Sequence, residues 1–256
     1  MERARNLISC PSSRRERRNA KTDAVLRFLR QHLWSTQDIL QQVMGLLSRQ
    51  AAHKSLVAME QEGNLRRHTF FSLGGRVTIW GITCQGQAMA FDPGTEQIVS
   101  ATFDPNRVSE QTIHHQLDLQ CLRLAAEKAG WRDWVDGDRL GESKTFQKRP
   151  DALLAAPDGR RVALECERSF KSLKRYQSIL LMYLQLIKLG EINCVVWVSP
   201  TPEMAARLKA IMTSITEFRF NGQTLHVSPD RHHLNLHFVS YADWPSLKDR
   251  PVDLSE

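Results

Sequence analysis

Asp151, Glu165, Glu167, Lys171 and Lys174 fall within one stretch, Arg149 to Tyr176, RPDALLAAPDGRRVALECERSFKSLKRY. Two carboxylates held close together repel unless a cation or a proton lies between them. Oxygen donors with room left for water suit Mg²⁺ or Mn²⁺. That chemistry needs Asp151 and Glu165 to meet. Pro157-Asp158-Gly159 marks a turn between two apolar runs, Ala152 to Ala156 and Val162 to Leu164. Read as strand, turn and strand, the segment carries Asp151 and Glu165 to one end of a hairpin. A plainer reading stands beside it. Pro-Asp is frequent in turns, and Glu-x-Glu on a strand often points both carboxylates to solvent.

A basic amphipathic segment follows. Ser169 is expected to cap a helix that runs through Leu189 and stops at Gly190. Lys171 and Lys174, three residues apart, would then share a face. The order Pro-Asp, hairpin, Glu-x-Glu, helix resembles the active-site signature of the PD-(D/E)xK nuclease superfamily. That signature has an Asp after Pro, a second strand carrying Glu-x-Lys, and a helix behind it. Asp151 matches the first carboxylate and Glu165 the second, while Glu167 stands where the lysine usually stands. The resemblance implies that Asp151 and Glu165 bind Mg²⁺ or Mn²⁺ and that DNA is cut. Glu167 would accept a proton from water or bind a second metal. Lys171, or else Lys174, would replace the missing cation. His115 would lie beside the scissile phosphate, on the helix before the hairpin; a surface or packed histidine is the alternative.

Charge points the same way. The chain has 256 residues and a formal net charge of +7, with a pI near 9.4. Such a balance favours an acidic partner, nucleic acid or anionic lipid. No apolar run is long enough to span a membrane, and a cytoplasmic protein is expected. The five cysteines (10, 84, 121, 166 and 194) form no Cys-x-x-Cys pair. They suggest neither a zinc site nor a disulfide framework.

Residues 1–21 are rich in Arg and poor in core formers, and read as a basic mobile arm. Residues 22–95 read as three helices and a hairpin. Thr22 or Asp23 would cap the first helix, Ser35 the second, and the third would run from near Ser48 to Gly63. Leu65 to Leu73 and Val77 to Ile82 would form the hairpin around Gly74-Gly75. This order resembles a winged helix-turn-helix domain, in which the third helix enters the major groove of double-stranded DNA. The resemblance assigns Arg49, Gln50, His53 and Lys54 to the outward face of that helix, and Arg66, Arg67 and Arg76 to the wing. Protein contact or dimerisation is the other use of such a domain.

Residues 96–110 read as a linker, and 111–245 as an α/β domain of hairpin, helix, strand, helix and closing strands. Residues 246–256 read as a tail. The fold class expected is thus α/β, α+β overall. It comprises an N-terminal winged helix-turn-helix and a PD-(D/E)xK restriction-endonuclease-like domain.

Arm, winged helix and nuclease-like core together resemble the replication-relaxation family, in particular MOBC-class plasmid relaxases. The likeness spans about residues 22–245. It rests on domain order, Arg149-Pro150-Asp151, Glu165 with Arg168-Ser169, and His115. It implies metal-dependent, strand-specific nicking at a transfer origin in plasmid mobilisation. The partners implied are double-stranded DNA, a single-stranded form, and accessory mobilisation proteins or a coupling protein. The commoner relaxase type needs a His-hydrophobic-His metal motif and a nucleophilic tyrosine. None of the nine histidines here makes that triplet, and the tyrosines are Tyr176, Tyr183 and Tyr241. Tyr176 and Tyr183, seven apart, would share a face of the helix behind the site, for packing or, at Tyr176, for contact with DNA. Two other classes stay open. One is a DNA-binding regulator with an inactive nuclease-like domain; the other is a restriction or repair-type endonuclease.

Overall fold

The computed structural model describes residues 10–72, 75–94, 101–109, 111–140, 149–220, 223–228 and 232–246. The fold is mixed α/β and divides into two compact units, residues 1–120 and 121–256. The division falls inside one helix, α5 (Ile113–Lys128). It therefore lies later than the linker expected at 96–110.

The first unit begins with α1 (Pro11–His32). Residues 11–21, expected to be a mobile arm, are its first turns, so the helix starts well before Thr22. Pro at the first helical position is already set for the helix. No Gly or Pro follows until Gly45, and Arg, Lys and Ala are good helix formers. Arg18 also pairs with Glu62. Residues 1–9 of the expected arm lie outside the described residues. Val25, Leu26, Phe28 and Leu29 bury one face of α1.

Strand β1 (Trp34–Thr36) precedes α2 (Gln37–Val43), so Thr36, not Ser35, is the N-cap residue. Trp34 and Ser35 instead pair with Gly81 and Trp80. The Ser35 hydroxyl donates to Gln120 Oε1 at 2.5 Å. α3 (Arg49–Gln61) is capped by Ser48, whose Oγ accepts from the Ala51 N–H at 3.3 Å. Ala52, Leu56 and Met59 face inward, as their spacing predicts. β2 (Leu65–Ser72) and β3 (Gly75–Ile82) then form an antiparallel hairpin in a sheet of order β1-β3-β2. Leu73 and Gly74 of the expected turn lie outside the described residues.

A short helix, α4 (Cys84–Met89), follows the hairpin. The described part of the expected linker, 101–109, is anchored to this unit. Phe103 N–H donates to Ile82 O at 3.0 Å, and Gln87 Nε2 donates to Ala101 O at 2.6 Å. The Phe103 ring fills the space that Gly81 leaves: a Cβ there would come within 1.9 Å of Phe103 Cγ. An apolar side chain can pin a nominal linker once a neighbouring residue lacks a side chain of its own.

The second unit holds a five-stranded sheet of order β10-β7-β6-β5-β4. Its strands are β4 (Arg132–Asp136), β5 (Ala152–Ala155), β6 (Arg161–Cys166), β7 (Cys194–Ser199) and β10 (Leu236–Ser240). β4, β5 and β6 run antiparallel in turn, then β7 lies parallel to β6 and β10 parallel to β7. α6 (Leu173–Lys188) connects β6 to β7, and α7 (Pro202–Thr213) follows β7. A separate hairpin, β8 (Glu217–Phe220) and β9 (Gln223–His226), precedes β10. Tyr176, Ile179, Leu180, Tyr183 and Leu186 of α6 pack with Ala163, Val195 and Trp197 of the sheet in one core. β4, β8 and the α4 helix were not apparent in the sequence pattern. β4 is short and half-exposed, so it lacks a clean apolar alternation.

Gly81→Ala is expected to displace Phe103 and destabilise the protein by roughly 1–3 kcal/mol, the usual cost of overpacking. Urea unfolding measures this; a wild-type midpoint would show that the Gly81–Phe103 contact does not hold the segment.

Candidate active site

The β5–β6 hairpin forms as its sequence predicts. Gly159 N–H donates to Ala156 O at 2.9 Å, and Ala156 N–H donates to Arg160 O at 2.8 Å. Asp158 Oδ1 accepts from the Arg160 N–H at 3.1 Å and closes the turn. The ladder places Ala152 opposite Leu164. One residue further, Asp151 and Glu165 stand across from each other at the open end. Asp151 Oδ2 accepts from the Cys166 N–H at 2.7 Å, so its carboxylate continues the ladder where the backbone pairing stops.

Glu165 and Glu167 are each 3% exposed. The solvent-facing reading of Glu-x-Glu is therefore overturned. Two residues apart on an extended chain, they point to one side of the sheet, toward α6. A buried carboxylate is costly unless it is hydrogen-bonded or paired. Glu165 accepts from the Tyr183 hydroxyl. Glu167 takes the Lys171 ammonium on both of its oxygens. The Glu167 N–H donates to Val198 O at 2.9 Å and fixes the end of β6 against β7.

Lys171 does not lie on a helix with Lys174, as the spacing suggested. α6 starts at Leu173, with Ser172 rather than Ser169 as its cap. The intervening loop lets Lys171 turn back to Glu167. Lys171 N–H donates to the Tyr176 hydroxyl at 3.1 Å, which ties the loop to α6. Lys174 sits in the first turn of α6 and is exposed. His115 is on α5, within the first unit; Asp151, Glu165, Glu167 and Lys171 belong to the second.

Two contributors, Gly137 and Ser199, escaped the sequence reading, whereas the spacing of seven sets Tyr176 and Tyr183 on one face of the helix behind the site. Tyr183 and Tyr176 lie two helical turns apart on one face, both fully buried, and α6 thus delivers two hydroxyls to this end of the sheet. Gly137 lies beneath the Pro150-Asp151 backbone: its N–H donates to Asp151 O at 2.9 Å. A Cβ at Gly137 would fall 1.9 Å from Pro150 O, so only glycine lets the two segments approach this closely. Ser199 extends the register of β7 to the position beside Glu167. Its Oγ is buried and has no hydrogen-bond partner among the described residues.

Burial pushes the Tyr183 phenol well above its ordinary value. The Glu165 charge, the hydrogen bond to Glu165 and the Asp151 charge push it the same way. Tyr183 is thus a neutral donor aimed at a carboxylate. Among the described residues, no three His, Cys, Asp or Glu side chains converge as a metal cluster. The donor set suits a different mode. Mg²⁺ keeps several waters and uses one or two carboxylates together with phosphate oxygens, and Asp151 and Glu165 offer two carboxylates of that kind. The orphaned Ser199 hydroxyl lies beside Glu167, at the same end of the sheet, and leaves a buried polar atom open to a further polar partner.

In the first unit, the residues expected to touch DNA are all exposed. Arg49 pairs with Asp38 at 2.9 Å. His53 Nδ1 and Gln37 Oε1 are 3.0 Å apart. The Arg67 guanidinium lies 5.3 Å from the Trp80 ring centroid. Arg49, His53, Arg67 and Arg76 line one cavity of about 580 Å³ between α3 and the β2–β3 hairpin. Gln50, Lys54 and Arg66 lie outside its lining.

No protein-family model matches the chain. No curated protein matches it, and no solved structure does.

Tyr183 sets an alkaline limit on stability. A phenol whose folded value lies above its ordinary 10.0 favours the unfolded chain once it ionises. Its contribution is complete below about pH 10 and is lost as the pH rises from there toward the folded value. Tyr183→Phe is expected to flatten the fall in Tm above about pH 10. At neutral pH it should cost about 1–3 kcal/mol, because Glu165 loses its donor. Thermal unfolding across this range checks both; equal alkaline falls in the two proteins would rule out Tyr183 as the group responsible.

Proposed function

We propose that this protein is a metal-dependent DNA endonuclease that nicks one strand at a transfer origin, in the manner of a replication-relaxation family relaxase. One observation carries the reading: Asp151 and Glu165 face each other at the open end of a hairpin, with an ammonium, Lys171, beside them on Glu167. The arrangement supports a PD-(D/E)xK-like core in which the lysine comes from the loop after the strand. The order helix, strand, two helices and hairpin, with sheet order β1-β3-β2, supports a winged helix-turn-helix reading of the first unit. Its exposed Arg, Gln, His and Lys residues suit double-stranded DNA.

Mg²⁺ or Mn²⁺, bound through Asp151 and Glu165, would acidify a water and offset charge on the phosphate. The chain's own groups do the rest. Tyr183 holds Glu165 in place and keeps its proton. The Cys166 N–H fixes Asp151. Lys171 supplies positive charge where the phosphate gains negative charge, in a site shielded from water where such charge counts most. Glu167 anchors that ammonium. No helix of the described residues is long and apolar enough to cross a membrane. Accessory mobilisation proteins or a coupling protein are the partners this reading calls for, with a cytoplasmic site of action. One feature favours a second reading, a DNA-binding regulator with a silent nuclease-like unit: Glu167 already occupies the Lys171 ammonium.

A supercoiled plasmid carrying a candidate origin, incubated with Mg²⁺, separates the readings. Nicked product supports the proposal, linear product a restriction-type enzyme, and bound but uncut plasmid the regulator. Asp151→Ala and Glu165→Ala are each expected to abolish nicking and keep DNA binding; wild-type nicking by either would refute the site.

Lys171→Ala is expected to slow single-turnover nicking by about 10²–10³-fold, the usual effect of losing one charge-stabilising group. It also leaves Glu167 buried and unpaired, so its stability must be measured in parallel. Adding Glu167→Lys returns an ammonium to the site and is expected to recover part of the rate. Lys174→Ala should change the rate little. Normal nicking by Lys171→Ala would show that the cation is not used.

A further inference from the structure

The loop between Glu167 and α6 carries an aromatic ring that the cleavage reading leaves unused. Phe170 is 37% exposed and Leu173 is 51% exposed. The Arg207 guanidinium of α7 lies over the Phe170 ring, 4.5 Å from its centroid. Arg168, Lys174 and Arg175 around it are exposed as well. Leaving an aromatic ring in water forfeits much of the stabilisation its burial would bring. Here the ring is propped by a cation instead of being folded into the core cluster that α6 forms with the sheet.

Position ties this ring to the site. Lys171, the next residue, bonds to Glu167. Three chain steps of about 3.8 Å bring Phe170 Cα within roughly 11 Å of Glu167 Cα. An aromatic ring set in basic surface is the arrangement that binds single strands: bases stack on the ring while cations follow the phosphates. In a duplex, neighbouring bases already cover each base's faces. A stacking ring therefore selects a strand that has been opened. Arg207 serves twice, as a prop for the ring and as a fixed positive charge.

We propose that Phe170, backed by Arg207, is a stacking platform for an unpaired base of single-stranded DNA, a few nucleotides from the phosphate held at Asp151 and Glu165. The proposal rests on the endonuclease reading and narrows its substrate to a melted strand.

Binding is measured with the full chain in EDTA. The probes are a fluorescein-labelled oligothymidylate of about fifteen nucleotides and a duplex of equal length. Phe170→Ala is expected to weaken oligothymidylate binding about tenfold, the usual value of one stacked base. Duplex binding should stay within about twofold. Phe170→Trp is expected to bind as tightly as the wild type, and Phe170→Leu as weakly as Phe170→Ala. Trp keeps a stacking face, so its retained affinity also shows that the loop tolerates substitution. Wild-type affinity of Phe170→Ala for the oligonucleotide would overturn the platform and leave the ring as a contact for a protein partner. Equal losses on both probes, or wild-type binding by Phe170→Leu, would overturn it too. Nicking with Mg²⁺ is followed separately on plasmid. Intact nicking with no Phe170 effect sinks the platform alone, and Phe170-dependent binding without cleavage by wild type sinks the endonuclease reading alone.

Discussion

Two carboxylates withdrawn from water, Glu165 and Glu167, set the terms for one end of the second unit. Desolvating a carboxylate costs several kcal/mol unless donors or a cation compensate. Each of the two is compensated from a different direction. Glu165 takes a hydroxyl from the buried face of α6, and Glu167 takes an ammonium from the loop ahead of that helix. These demands settle where α6 starts. Residues 167–172 leave regular structure so that Lys171 can reach back, and the helix is capped again at Ser172.

The same constraint separates the acidic groups by role. Glu167 and Lys171 neutralise each other at short range. Asp151 and Glu165 are instead held by hydrogen-bond donors, the Cys166 N–H and the Tyr183 hydroxyl, and a divalent ion between them belongs to the proposed endonuclease function. Lys171, expected on the helix, sits in the loop ahead of it, and that loop is tied down by Tyr176. Loops set on a rigid scaffold are where binding and catalytic groups concentrate. Here the scaffold is a central strand, β6, bonded on both sides, with Gly137 allowing close support beneath Asp151.

The first unit is held by different means. Apolar faces of α1 and α3 and the strands β1 and β3 form its interior; Arg30 is buried with them and donates to Gln87 O at 2.7 Å and Gln87 Oε1 at 3.0 Å. Arg49, His53, Arg67 and Arg76 gather at one cavity because the register sets Arg67 across from Trp80 and Phe71 across from Arg76. Side chains two residues apart on a strand share a face, so Arg67 lines the cavity while Arg66 lies outside it.

Local signals were legible. Turn chemistry at Pro157-Asp158-Gly159 and two short apolar runs determined the hairpin, and with it the meeting of Asp151 and Glu165. The apolar spacing of Ala52, Leu56 and Met59 after Ser48 determined α3. Turns, caps and periodicity act over a few residues, so they can be read from the chain. Which face of a strand is buried depends on what packs over it from afar. Hence Glu-x-Glu alone allowed solvent exposure, and only α6 lying across the sheet made both glutamates interior. The anchoring of residues 101–109 by Phe103 against Gly81, the hydroxyl of Tyr183 on Glu165 and the closeness of Gly137 to Pro150 are likewise contacts between segments distant in sequence. Tertiary packing decided them, because close approach and desolvation arise only once separate elements occupy the same space.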